Sequence, residues 1–166
     1  MTGPPGHFPE RLERREEIEK ALELIRSGYR HELEIKGSEP FARAVRKALE
    51  LVREAGFEDL VRAYIRSIIE VEGFCQLRVE DASLWMNLKA LENPVLAASL
   101  IYQKALQMKN YLEGKPYYGP RSEIELSKAR YEFVRLLRER CQDEEVKKLC
   151  DDVLSELEAS LYDLIP

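Results

Sequence analysis

Apolar residues recur every three or four positions along most of this chain, and that period is typical of amphipathic helices. In the first such stretch, Leu12, Ile18 and Ile25 lie on one face, with charged residues on the others. A chain with this pattern is expected to bury the apolar stripes of several helices against one another. The predicted helices span residues 10–27, 38–54, 58–71, 93–112, 122–140 and 143–163.

Start and stop residues support several of these helices. Asn93 can cap the helix that follows it, and Pro94 fits the first helical position. Ser122 with Glu125 forms a capping-box pattern, which predicts the start of the helix over 122–140. Gly28 stands where a left-handed residue commonly ends a helix.

Two short stretches alternate between apolar and polar residues, as half-buried strands do. The first runs from His31 to Lys36, and the second from Cys75 to Glu80. Residues 82–91, which include Trp85, fit either a further strand or a weakly marked helix. The hydrophobic period does not separate these two alternatives, because the stretch is too short for either pattern to dominate.

The helix over 93–112 is predicted to lie at the centre of the fold. Its first two turns, Val95 to Tyr102, are apolar on nearly all sides, and neighbouring elements bury a helix of this kind. The fold class that follows is α+β and mainly α, with five to six helices around a buried central helix and a small sheet of two to four strands. An all-α bundle is the alternative.

Domain organisation follows from length and composition. The 166 residues are enough for one domain with a sizeable core, and no linker suggests a second domain. Residues 1–9 are rich in proline and glycine and are predicted to form a disordered N-terminal tail. Residues 10–166 are predicted to form a single helix-rich domain.

Charge argues against two classes of partner. The net charge is −5 and the basic residues are spread over every helix, whereas nucleic-acid-binding domains concentrate them in a patch or stripe. The longest apolar stretch falls well short of the roughly 20 residues needed to span a bilayer. No secretory signal is visible at the start of the sequence. We therefore expect a cytoplasmic protein that binds neither nucleic acid nor membrane.

The remaining composition concerns heat adaptation and the state of the cysteines. Charged residues make up 34% of the chain while asparagine and glutamine together number seven, a combination seen in heat-adapted proteins. A heat-adapted source is therefore a hypothesis. The three cysteines, Cys75, Cys141 and Cys150, contain no Cys-x-x-Cys pair and are expected to be buried thiols rather than disulfides or zinc ligands.

Candidate catalytic chemistry is sparse. The chain has two histidines, His7 and His31, and both are predicted to be surface residues rather than ligands. No His-Glu-x-x-His, Gly-x-Ser-x-Gly or glycine-rich phosphate loop is present, and the paired carboxylates stand beside Lys or Arg in helical stretches. We assign no catalytic residue, no metal ligand and no cofactor, and an enzyme is the less favoured interpretation.

One arrangement around the central helix is more specific. The pattern begins with a strand and a Gly-Ser turn, continues through two helices and a tryptophan, and ends with a Tyr-Gly loop and a glutamate. The residues that carry it are Glu34-Ile35-Lys36-Gly37-Ser38, Phe41, Val45, Ala48-Leu49, Leu51, Tyr64-Ile65, Ile68, Trp85, Leu96-Ala97-Ala98-Ser99-Leu100-Ile101, Gly114-Lys115-Pro116-Tyr117-Tyr118-Gly119 and Glu123. This layout resembles a family of small zincin-like metallopeptidase domains.

The chain departs from that family at the metal site. The resemblance implies a His-Glu/Asp-Ala-x-His run on the central helix, and Gln103-Lys104-Ala105-Leu106-Gln107 stands in its place. Zinc catalysis there needs two imidazoles one turn apart with a carboxylate as base. Amides are poor zinc ligands and the lysine would repel a metal. Glu123, which matches the third ligand, remains.

Two interpretations of these four residues stay open. In the first, Gln103, Lys104, Gln107 and Glu123 form a buried hydrogen-bonded network in which Lys104 pairs with Glu123. In the second, the likeness is accidental and the residues lie on the exposed side of an amphipathic helix.

Three functions follow in order of preference. The first is a non-catalytic zincin-like domain, an inactive metallopeptidase homologue that acts through protein contacts. The second is a helical interaction or assembly module unrelated to zincins, which dimerises through a charged terminal helix. The third and least favoured is a metal-dependent hydrolase with unrecognised ligands. The expected partner is an unidentified protein or a second copy of the chain.

Overall fold

The computed structural model describes residues 7–164, with side chains through residue 163, and combines helices with a small sheet. The helices are α1 (Arg15–Arg26), α2 (Glu39–Ala55), α3 (Glu58–Tyr64), α4 (Pro94–Leu112), α5 (Pro120–Arg140) and α6 (Glu144–Leu164). The strands are β1 (Glu34–Lys36), β2 (Ser67–Glu70), β3 (Gln76–Arg78) and β4 (Ser83–Met86). The predicted mainly α, α+β class is confirmed, and the all-α alternative is wrong.

The four strands form one mixed sheet in the order β1-β2-β4-β3. β1, β2 and β4 are parallel, and β3 is an antiparallel edge strand. Ile68 lies opposite Ile35 on one side and Leu84 on the other, and Leu84 faces Leu77 on the edge strand. This apolar row ties the sheet to the core, because Ile68 and Leu84 are fully buried.

The region after α3 differs from the prediction. The helix predicted over 58–71 ends at Tyr64, Ile65 is extended, and the chain continues into β2. Both faces of β2 are covered at Ser67 and Ile68, so its sequence shows no alternation of apolar and polar residues. The spacing of Tyr64, Ile65 and Ile68 fits a helical period as well. The pairing of β2 with β1 and β4 makes this segment a strand instead.

The ambiguous stretch over 82–91 contains both of the predicted alternatives. β4, which carries Trp85, is followed by a short 3₁₀ turn at Lys89–Leu91. The strand that was predicted from His31 begins only at Glu34, because Leu33 has a positive φ of 62°. A left-handed residue of this type interrupts the pairing pattern.

α4 is the central helix, as predicted. Asn93 caps it by accepting hydrogen bonds from the N–H groups of Val95 and Leu96 at 3.0 and 3.1 Å, and Pro94 occupies the first position. The helix packs against α2, α3 and α5 and also contacts α1 and α6. It is therefore in contact with every other α-helix that the structure describes.

The start of α5 differs from the predicted capping box. The helix begins at Pro120, two residues before Ser122, and Gly119 precedes it with a φ of 100°. Ser122 is buried in the first turn. Because proline already has a helical φ and needs no N–H partner at the first position, it starts this helix in preference to serine.

The N-terminal boundary also differs. Residues 1–6 of the predicted tail lie outside the described residues, but Phe8 and Leu12 are buried in the core. The N–H of Leu12 donates to the carbonyl of Glu80 at 2.7 Å, and the guanidinium of Arg66 donates to the carbonyl of Pro9. The packed region therefore starts before residue 10. No helix within the described residues is long and apolar enough to cross a membrane.

Candidate functional site

The predicted site residues on α4 lie between the centre of the helix and its C-terminal turns. Gln103, Lys104 and Gln107 are each half-buried, and Ala105 between them is fully buried against the core. The three polar side chains therefore lie at the boundary of the core rather than on a solvated face. Neither of the two interpretations left open by the sequence describes this placement fully.

Gln107 has a structural role. Its Nε2 donates to the carbonyl of Tyr117 at 2.8 Å, which ties α4 to the loop before α5. The ring of Tyr117 contacts those of Tyr111 and Tyr118 edge to face, and the Tyr111 hydroxyl donates to the carbonyl of Leu12. The Oε1 of Gln107 is buried without a hydrogen-bond partner in the described part of the chain.

Lys104 has a different environment. Its ammonium group makes no hydrogen bond or ion pair with any residue that the structure describes. Burial lowers its pKa, the nearby Arg130 guanidinium lowers it further, and the Cys75 thiol raises it. Lys104 is therefore a half-buried cation without a carboxylate partner among the described residues.

Arg130 is the second cation, and it reaches α4 from α5. Its Nε and Nη2 donate to the Ser99 hydroxyl oxygen at 3.3 and 3.1 Å. Ser99 is fully buried and donates in turn to the carbonyl of Leu96 at 2.8 Å. Burial lowers the pKa of Arg130, and no carboxylate within the described residues pairs with it.

The predicted network between α4 and Glu123 is wrong. Glu123 is exposed in the first turn of α5, where its N–H donates to the carbonyl of Gly119, and its carboxylate forms no hydrogen bond or ion pair with a described residue. Gln107 binds a backbone carbonyl instead, and Lys104 has no carboxylate partner among the described residues. The structure thus joins Ser99 to Arg130, and it leaves Glu123 apart from the three residues on α4.

An exposed apolar surface lies on the loops that follow β2 and β4. Phe74, next to Cys75 in the loop between β2 and β3, is 93% exposed, and Leu88, which follows β4, is 44% exposed. The two loops are joined because the Asn87 side chain donates to the carbonyl of Gly73 at 2.9 Å. We call the surface formed by Phe74 and Leu88 the docking face.

Sequence reasoning missed Phe74, Ser99 and Arg130 as functional candidates. Ser99 stands in an apolar run and Arg130 in a highly charged helix, so neither is distinctive in its local sequence. Phe74 follows a glycine between the helix predicted over 58–71 and the strand predicted from Cys75, and an aromatic residue in such a turn was the one available signal. The Ser99–Arg130 contact spans 31 positions and has no sequence pattern.

The prediction that His31 is a surface residue is also wrong. Its side chain is 3% exposed and packs edge to face against Phe8 and Tyr29, with ring centroids 4.5 and 5.2 Å away. Burial, helped by the Arg66 charge, lowers the pKa of His31 from 6.5 to about 4. His7 is exposed, as predicted.

The described cysteines are free thiols. Cys141 and Cys150 are buried, and Cys75 is half-buried. Within the described residues, no three His, Cys, Asp or Glu side chains are grouped so that they could hold a metal ion. Comparison of the chain with protein-family models, curated proteins and solved structures gave no match.

Proposed function

We propose that this chain is a non-catalytic domain that acts by binding a partner protein on its docking face. The observation that supports this most directly is the exposure of Phe74, at 93%. A phenyl ring left in water forgoes the roughly 2 kcal/mol that its burial would provide. The loop that carries it is fixed by the hydrogen bond from Asn87 to Gly73, so the ring is held outward rather than folded onto the core.

The position of the docking face agrees with this proposal. Phe74 and Leu88 follow β2 and β4, which are parallel, so both lie near the carboxyl ends of neighbouring strands. In open sheets of parallel strands, ligands bind outside these ends.

We further propose that the scaffold is a zincin-like domain that has lost its metal site. What supports the relationship is the central position of α4, which packs against α2, α3 and α5. The exposed position of Glu123 weighs against the relationship. The residues at the expected metal positions offer amides and a cation, which supports a binding role over hydrolysis.

Self-assembly through α6 is the second candidate function. Tyr162, near the end of this helix, is 75% exposed, and most side chains after Leu157 are exposed as well. A second copy of the chain could cover this end of α6. Light scattering at several protein concentrations distinguishes a stable dimer from a monomer. Tyr162→Ser is the variant expected to dissociate such a dimer.

The test of partner binding uses a matched pair of variants, Phe74→Ser and Tyr162→Ser. A photo-crosslinking residue at position 88 identifies the bound protein in the cells that express the chain, and that protein is then purified and titrated. We expect Phe74→Ser to weaken binding by about 30-fold, a typical loss for a central aromatic contact. Tyr162→Ser should bind as tightly as the unaltered chain.

The opposite pattern supports assembly through α6. If Phe74→Ser binds every crosslinked protein within twofold of the unaltered chain, the docking face has no role in partner binding. If the chain is instead a dimer that Tyr162→Ser converts to a monomer, the second candidate function replaces the first.

A further inference from the structure

β1 (Glu34–Lys36) lies at one end of the sheet, and only one of its two sides is paired. The strand order is β1-β2-β4-β3, and β2 is the one neighbour of β1 among the strands of residues 7–164. The open side of such a strand presents unpaired backbone N–H and C=O groups, which can pair with a strand of another chain. β1 is therefore a candidate interaction surface.

The pairing with β2 fixes which backbone groups of β1 face the open side. The N–H of Glu34 donates to the carbonyl of Arg66 at 3.1 Å, so the backbone groups of Glu34 face β2. Because backbone groups alternate between the two sides of a strand, those of Lys36 also face β2 and those of Ile35 face outward. The N–H of Ile35 forms no hydrogen bond with a described residue.

The charges that flank Ile35 make β1 complementary to itself. If a second copy of β1 pairs antiparallel with Ile35 opposite Ile35, Glu34 of each copy lies opposite Lys36 of the other. The two central residues then exchange both of their backbone hydrogen bonds. Registers centred on Glu34 or on Lys36 would instead place like charges opposite each other. Opposite charges across a strand pair stabilise it and like charges destabilise it, so one register is favoured.

Both charged side chains are accessible to a second copy. Glu34 and Lys36 lie on the same face of the strand, and their side chains are 66% and 58% exposed. They form an ion pair with each other at 3.3 Å. An exposed pair of this kind contributes little to stability, so sharing these charges with a second copy costs little.

β3 (Gln76–Arg78) is the other end strand, and it lacks this complementarity. The positions that flank its central residue are Gln76 and Arg78, so pairing with itself would place a neutral amide opposite a cation. Arg78 is also paired with Glu80 at 2.6 Å and lies over the ring of Trp85. Charge therefore favours β1 over β3 as the edge that meets a second copy.

An apolar groove borders β1 on the face that Ile35 shares with α2. Its volume is about 290 Å³, and its apolar lining consists of Leu33, Ile35, Leu49, Val52 and Val61. The first three of these side chains are half-buried. In the register centred on Ile35, Ile35 of the second copy lies on this same face of the joined sheet, next to the groove. Pairing would thus remove apolar surface from water as well as complete backbone hydrogen bonds.

We propose that two copies of the chain pair through β1 into a symmetric dimer whose two four-stranded sheets become continuous. Ile35 lies on the two-fold axis, and Glu34 of each copy pairs with Lys36 of the other. Since β1 is only three residues long, the dimer is weak, with a Kd on the order of 100 µM. This interaction goes beyond the proposed partner binding, because it uses the edge of the sheet and does not involve Phe74.

The test is sedimentation of the full chain at concentrations up to about 1 mM, well above the expected Kd. Glu34→Lys and Lys36→Glu each place like charges opposite each other, and each should weaken the dimer by at least about tenfold. An equimolar mixture of the two variants restores opposite charges across the interface, so it should form a dimer again. Both variants keep a negative net charge, so general attraction between them does not explain such a result.

Two control variants separate this dimer from other causes of association. Lys148→Glu makes the same change of charge at an exposed position on α6, and we expect less than a twofold effect. Tyr162→Ser should also leave this dimer unchanged, whereas it would dissociate a dimer formed through α6. The proposal is overturned if no dimer forms at about 1 mM. It is also overturned if the mixture of Glu34→Lys and Lys36→Glu associates no better than either variant alone.

This dimer and the proposed partner binding can fail separately. A chain that binds its partner through Phe74 but stays monomeric keeps the docking face and loses the β1 dimer. A chain that forms a dimer sensitive to Lys36→Glu but has no partner that Phe74→Ser weakens keeps the β1 dimer alone.

Discussion

His31 and Arg130 are both ionisable groups withdrawn from water, but their surroundings affect the charge differently. His31 lies against the aromatic rings of Phe8 and Tyr29, and its pKa falls to about 4, so it is neutral at pH 7. Arg130 cannot become neutral in this way, because a guanidinium keeps its proton in proteins. His31 is therefore uncharged at pH 7, whereas Arg130 keeps its charge.

The difference shows how each buried group is compensated. The Nε2 of His31 has no hydrogen-bond partner among the described residues, but a neutral imidazole can be enclosed by apolar rings at a modest cost. The Arg130 guanidinium stays charged, and the acceptor that the structure gives it is the Ser99 hydroxyl oxygen. The cost of burying this charge therefore depends on the contact with Ser99.

Lowering the pH should destabilise the protein because His31 is buried in its neutral form, and we expect this to be the largest of the predicted effects. Below pH 6.5 the imidazole of His31 binds a proton in the unfolded chain but not in the folded protein. The free energy of unfolding therefore falls as the pH falls. The loss ends near pH 4, where the folded protein also binds the proton. Over this interval we expect a loss of about 3 kcal/mol, measured by urea denaturation at a series of pH values.

Two variants assign this acid effect to His31. His31→Phe keeps an aromatic ring against Phe8 and Tyr29 and removes the titrating group. The loss of stability between pH 6.5 and pH 4 should therefore disappear. His7→Gln changes the other histidine, which is exposed, and should leave the loss unchanged. Equal pH dependence in His31→Phe and the unaltered chain would show that His31 is not held neutral.

Helix ends were predictable because their signals are local. Asn93, Pro94 and Gly28 act on their own helices, and each has the role that its residue type indicates. β2 was missed because both of its faces are covered, so its sequence lacks the alternation that identifies a half-buried strand. Local chemistry fixed the helix ends, whereas pairing across the chain fixed the strand.

The candidate site was predictable only in part, for the same reason. The spacing of Gln103, Lys104 and Gln107 placed them on one helix, and that placement is confirmed. The acceptor of Arg130 lies on a different helix, and no pattern in the sequence links Arg130 to Ser99. His31 is buried by Phe8, which lies 23 positions earlier in a stretch that was predicted to be a tail.

The contact between Ser99 and Arg130 tests the charged side of the comparison. Ser99→Ala removes the acceptor of both guanidinium bonds, and we expect a loss of about 2 kcal/mol because a retained charge is left with less compensation. Ser155→Ala, at an exposed position on α6, controls for the helix preference of alanine and should change stability by less than about 0.5 kcal/mol. A loss within that smaller range at Ser99 would mean that water already compensates Arg130, and the contrast with His31 would then fail.

Lys104→Met should give the smallest effect, and its sign shows whether the ammonium group has a negative partner. Methionine keeps the unbranched side chain and removes the cation, so the desolvation cost of the half-buried charge disappears. We expect a gain of about 1 kcal/mol in the free energy of unfolding, measured by urea denaturation, and no change for the exposed Lys128→Met. A loss of stability in Lys104→Met would mean that the ammonium already has a negative partner, since removing an unpaired buried cation cannot destabilise the fold through electrostatics.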